Sequence, residues 1–141
     1  MAVTNPFQLY QHNQVNTSSR EKLLLMLYDG AIRFCLQAKQ GVVNNDIEMT
    51  HINLIKAQKI ICELMRTLNM DFEIAQNLYS LYDYLYRRLV EANMKKDAAI
   101  VDEVLEFLTE LRKTWAEAAQ KAKCEGMVNL EGKYVEPGPS A

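Results

Sequence analysis

Two histidines, three cysteines and one carboxylate–histidine pair are the groups in this 141-residue chain best suited to chemistry. Nucleophilic catalysis needs a base, most often His, held in place by a third group. No nucleophile-elbow motif accompanies His12 or His51, so both read as surface or loop histidines. Glu48-x-x-His51 has the spacing of a di-iron ligand pair. Such a centre needs two of these motifs plus a Glu from each of two other helices, all pointing inward. Here the motif occurs once, and a helical wheel puts it on a polar face. Cys35, Cys62 and Cys124 are odd in number and form no CxxC pair, so neither a disulfide framework nor a zinc site is indicated. The scattered glycines build neither a GxxxxGKS phosphate loop nor a GxGxxG fingerprint. The expectation is a binding protein with no catalytic site, no cofactor and no metal.

Composition bounds the partners. The chain is one domain's length, 49% hydrophobic and 24% charged, which is enough apolar side chain for a core without staples. A net charge of -2 lacks the basic surface from which nucleic-acid affinity comes. The longest unbroken apolar run, Leu23 to Tyr28, is far too short to span a bilayer, so no membrane insertion is expected. MAVTNPFQLYQ has no basic region followed by an apolar run and is not a signal peptide, which points to the cytoplasm.

The elements that must position any site are helical, because Gly and Pro are scarce through the middle of the chain. Asn5-Pro6 can open a short helical turn with Phe7 and Tyr10 on one face, too short to stand unless docked. Helix one begins near Ser18, where Ser18 and Glu21 have capping-box spacing, and fades near Gly41. Its apolar residues fill an arc of roughly 220°, about twice the ~100° that a surface helix needs. This helix is therefore expected to be central. Helix two spans about Asp46 to Asn69 with an inward stripe of Ile47, Leu54, Ala57, Ile60, Ile61, Leu64, Met65 and Leu68. Helix three spans about Phe72 to Lys95 with Ile74, Leu78, Leu81, Tyr82, Leu85, Tyr86 and Leu89 on one side and Tyr84 pointing away. Helix four spans about Asp97 to Lys123, facing Ile100, Val104, Phe107, Leu108, Leu111, Trp115 and Ala118 inward and an acidic stripe outward. Short connections make neighbours antiparallel, so the predicted fold is all-α, an up-down four-helix bundle. The division is a leader over 1–17, the bundle over 18–123 and a flexible tail over 124–141.

An apolar excess is left over. Helix one is greasy over more than half its girth, and Ile52 and Ile55 interrupt the polar face of helix two beside Lys59. Seven methionines add adaptable, polarizable side chains. The residues leave two readings open: an ordinary core, or a groove for a partner peptide that the leader covers when empty.

Four blocks in order carry a family resemblance: NPFQLYQ at 5–11 with VNTSS at 15–19, LLLMLYDGAIRFCLQA at 23–38, NLIKAQKIICEL at 53–64 and YDYLYRRLVEAN at 82–93. Together they resemble the FliS family of flagellar secretion chaperones, from the leader to about Lys121. The resemblance implies an antiparallel four-helix bundle that holds the disordered C-terminal segment of flagellin, blocks premature polymerisation and helps present the subunit to the export gate. Other flagellar regulators are further possible partners. It also makes Phe7 and Tyr10 an aromatic pair of the leader that serves client binding and the export gate. Phe7 departs from the family's usual tyrosine, so ring packing carries over and a hydroxyl bond does not. The expected partner-binding residues are these two, then Leu24, Leu27, Tyr28 and Ile32 of helix one, and Ile52, Ile55 and Lys59 of helix two. The tail has no family counterpart; Met127, Val128 and Leu130 could occupy the client groove of another copy. The alternative to a chaperone is a structural or adaptor bundle that self-associates through its apolar surface.

Overall fold

The computed structural model describes residues 17–126, and these form four helices and no strand. They are α1 (Thr17–Val43), α2 (Ile47–Arg66), α3 (Glu73–Lys95) and α4 (Ala98–Gly126). The leader's Phe7 and Tyr10 and the tail's Met127, Val128 and Leu130 lie outside the described residues.

Each turn has a local cause. Asp46 caps α2, its carboxylate accepting from Met49 N–H at 2.9 Å. Asn45, just before it, takes a left-handed conformation with φ 57°, which asparagine tolerates better than most residues. Asn69 holds the α2–α3 connection by accepting from Asp71 N–H at 3.1 Å. Lys96 ends α3 in the left-handed region with φ 52°, and Asp97 opens α4 by accepting from Ala99 N–H at 2.8 Å. A left-handed lysine is disfavoured, and here it closes α3 within a two-residue connection while its Nζ donates to the Asn93 carbonyl at 2.7 Å.

Leu27–Leu111 forms one compact unit, holding all of α2 and α3 with parts of α1 and α4. Cross-helix contacts inside it fix the pairing. Lys56 of α2 lies over the ring of Phe34 in α1, and a Cβ on Gly30 would meet Ile60 of α2 at 3.0 Å. The numbers rise on one helix as they fall on the other, so α1 and α2 are antiparallel. Asn93 of α3 donates to His51 Nδ1 of α2 at 2.8 Å. Tyr84 and Arg88 of α3 reach Glu103 of α4, and Lys39 of α1 reaches Asp102 of α4. The hydroxyls of Tyr28 in α1 and Tyr82 in α3 also meet, so within this unit α1 touches all three other helices.

The interior of this unit is built from Tyr28, Ala31, Cys35 and Ala38 of α1, Leu54, Ala57, Ile61 and Leu64 of α2, Tyr82, Leu85 and Leu89 of α3, and Val101, Val104 and Leu108 of α4. Each set recurs at three- and four-residue steps, the spacing that keeps side chains on one helical face. Burial pushes the Cys35 thiol up to about 12, so it is a small apolar core group here.

Several expected inward residues lie elsewhere. Ile47 is 68% exposed and Ile74 is 66% exposed. Both occupy the opening turn of a helix, before that face reaches a neighbour, and Ala75 takes the inward place beside Ile74. Phe107 is exposed because Val104 and Leu108 already fill the inward positions of α4. Gly41 lies inside α1 rather than at its end.

Residues 17–26 and 112–126, from the beginning of α1 and the end of α4, belong to a second unit. In it Leu23, Leu24, Leu25, Trp115 and Ala116 are half-buried and Met26 is exposed. Ala118, expected to face inward, is exposed.

Candidate partner-binding surface

Of the groups suited to chemistry, His12 lies outside the described residues, and Cys35 is buried while Cys62 is half-buried and Cys124 exposed. His51 Nδ1 accepts from the Asn93 carboxamide, which takes that ring nitrogen out of the Glu48-x-x-His51 pair. Among the described residues no group of three or more His, Cys, Asp and Glu could hold a metal ion, and no helix is long and apolar enough to cross a membrane. A shallow cleft at the α1–α2 turn, lined by Gly41, Asp46, Thr50 and Lys96, is open to solvent.

A connected polar network joins α3 to α4. Tyr84 Oη donates to Glu103 Oε2 at 2.7 Å, and Arg88 Nε donates to Glu103 Oε1 at 2.6 Å. Arg88 also pairs with Glu91, which accepts from Lys95 Nζ at 2.8 Å. The hydrogen bond from Tyr84, with that from Arg88, holds the Glu103 carboxyl below its ordinary value. Glu103 in turn raises the Tyr84 phenol and the Arg88 guanidinium, chiefly by those same bonds. Glu91 is lowered, first by its bond from Lys95. Above this network the Tyr84 and Phe107 rings meet edge to face with centroids 6.2 Å apart. The cluster clamps two helices and leaves two aromatic rings partly in water.

The expected partner-binding residues divide into several groups. Ile52 is 40% exposed, Lys59 is exposed and Ile55 is half-buried, so the three form a stripe along the open side of α2. Leu27 and Ile32 are half-buried on α1. Leu27 shares its helix face with Gly30 and Phe34, which meet α2, whereas Ile32 shares its face with Lys39, which meets α4. Ile32 therefore does not join the α2 stripe. Leu24 belongs to the other unit.

Tyr28 requires a correction. It was expected on the partner surface, yet it has no exposed area and its hydroxyl meets that of Tyr82. Its ring fills the interior, and the polar tip is matched there by a second phenol, which is how a buried tyrosine avoids a desolvation penalty.

Further apolar groups stand exposed that the periodicity does not single out as exposed: Met70 and Phe72 in the α2–α3 connection, Ile74 beside them, and Phe107, which joins the outward-pointing Tyr84 on the α3–α4 side. A signal for Phe107 exists in the sequence. Val104, Leu108 and Leu111 already complete an inward stripe at steps of four and three, so the residue before Leu108 falls at its edge.

Comparison with known proteins places these features. A family model described as Flagellar protein FliS matches residues 3–122. The Flagellar secretion chaperone FliS of Bacillus subtilis (strain 168) is 45% identical over 123 residues, covering 87% of this chain and 92% of that protein. The proteins of the same name from Vibrio cholerae and Escherichia coli (strain K12) are 33% and 30% identical, over 73% and 79% of this chain and 77% and 84% of their own lengths.

Proposed function

This chain belongs to the FliS family of flagellar secretion chaperones, and on that premise we propose that its client is the disordered C-terminal segment of flagellin. Bound in the cytoplasm, the segment is kept from polymerising and is delivered to the flagellar type III export apparatus. The observation that carries this reading is the stripe of Ile52, Ile55 and Lys59 on the open side of α2. A partner that folds as it binds must bury enough apolar surface to offset the entropy it loses. A stable body with apolar groups on its open side supplies that surface without paying an ordering cost of its own. By the family resemblance, Phe7 and Tyr10 of the leader are assigned to the client and the export gate.

Titration with the flagellin segment tests the reading. Binding should raise the melting temperature by mass action, because the segment binds the folded state. Ile55→Asp should weaken binding with the fold intact, and Tyr10→Ala should weaken binding to client or gate. No shift at high segment concentration would overturn the proposal, and an obligate dimer that ignores the segment would favour the self-associating bundle instead.

A further inference from the structure

Three polar side chains are buried in the body: Thr50, Asn53 and Gln58. Two of them are matched within their own helix. Thr50 Oγ1 donates to the Asp46 carbonyl at 2.8 Å, and Asn53 Nδ2 donates to the Met49 carbonyl at 2.8 Å. Gln58 is 8% exposed, and among the described residues its carboxamide meets no hydrogen-bonding group. Burying a carboxamide without a match is unfavourable, and native interiors rarely tolerate it.

The α2–α3 register shows where that group lies. His51 and Asn93 meet across the pair. Gln58 follows His51 by seven residues, and Tyr86 precedes Asn93 by seven. On antiparallel helices seven residues is close to two turns, so Gln58 and Tyr86 repeat the His51–Asn93 position farther along the seam. Ile55 lies one turn before Gln58 on the same stripe and Cys62 one turn after, both half-buried, and Tyr86 and Val90 on α3 are half-buried too. Along this part of the seam one unmatched amide is thus flanked by half-buried, largely apolar side chains.

We propose that Gln58 is a specificity-determining contact: its carboxamide hydrogen-bonds one polar, uncharged side chain carried within an otherwise apolar helical stripe of the client, laid along the α2–α3 seam. This rests on the flagellin-segment reading above and adds what the client must present. The half-buried flanks disfavour a charged group, which would have to shed its hydration there. A carboxamide offers donors and an acceptor together, so an amide or hydroxyl is its natural match. A client with leucine at that place would leave Gln58 unmatched and bind less tightly, which is discrimination by an unpaired polar group.

Opposite effects on stability and binding provide the test. Gln58→Leu removes the unmatched group and should melt above the wild type while binding the C-terminal segment of flagellin roughly tenfold more weakly, tenfold being about 1.4 kcal/mol. Equal or tighter binding by Gln58→Leu would overturn the proposal and make Gln58 an ordinary hydrated core amide. If that variant fails to fold, the wild type decides the matter through the Gln58 side-chain amide signal, assigned with Gln58→Asn. Added segment should shift that signal and slow its exchange; a signal that stays put overturns the proposal. Wild-type protein that ignores the segment altogether overturns the chaperone reading and this inference with it, whereas normal wild-type binding unaffected by Gln58→Leu overturns this inference alone.

Discussion

The hydroxyls of Tyr28 and Tyr82 meet at 2.5 Å in the interior of the helical body and tie the first helix to the third. The two rings lie 6.5 Å apart between centroids and are tilted by 53°. Neither side chain has appreciable solvent exposure, so each phenol offers the other's hydroxyl a hydrogen-bond partner in the interior.

Tyr28→Phe and Tyr82→Phe should each destabilise the protein by about 0.5–1.5 kcal/mol, the net worth of the one hydrogen bond each removes. The double variant should lose less than the sum, with a coupling of roughly 0.5–3 kcal/mol. Urea denaturation of the four proteins measures it. Strict additivity would show that the two hydroxyls do not support each other.

Gly41→Ala should destabilise by about 1–3 kcal/mol even though alanine is the better helix former. A Cβ there would meet Thr50 Oγ1 at 2.6 Å and, less avoidably, the Thr50 backbone nitrogen at 2.8 Å. Backbone cannot swing aside, so the start of α2 would have to move. A melting temperature equal to or above the wild type's would refute this close approach.

Glu103 and Glu91 make acid stability asymmetric. Both carboxyls are held below their ordinary value of 4.5 in the folded state by bonds from Tyr84, Arg88 and Lys95. Lowered native values mean that the unfolded chain binds protons first as pH falls. Their contribution is therefore complete above the ordinary carboxylate range and is lost below it, as pH passes through the lowered native values. Glu103→Gln should unfold more easily than the wild type at pH 7 and lose less on going to pH 3. Parallel acid titrations of the two proteins, followed by circular dichroism, would show the curves converging; a constant gap would contradict the assignment.

The cysteines should separate by reactivity. Cys35 is buried with its thiol pushed up to about 12, whereas Cys124 is exposed. The thiolate is the nucleophile, so an alkylating reagent at pH 8 should modify Cys124 in the native protein and reach Cys35 only after unfolding. Peptide mapping after labelling with and without urea reads this directly, and rapid native labelling of Cys35 would show that the interior opens.

The primary sequence alone determined the helical class, the helix spans to within a few residues, and the family. Each depends on local signals: three- and four-residue apolar spacing, Asp46 and Asp97 at helix starts, and four ordered blocks of family residues. Packing decided what periodicity cannot. Tyr28 and Ile52 are both apolar-faced residues beside polar ones in the sequence, yet one is sealed inside against Tyr82 and the other stands 40% exposed. Likewise Ile47 and Ile74 satisfy the inward spacing but sit in opening turns where no neighbour has arrived. A wheel fixes only the direction a side chain takes from its own axis. Whether another helix waits in that direction, or a polar group such as Gln58 is left there without a match, follows from how four axes pack against one another.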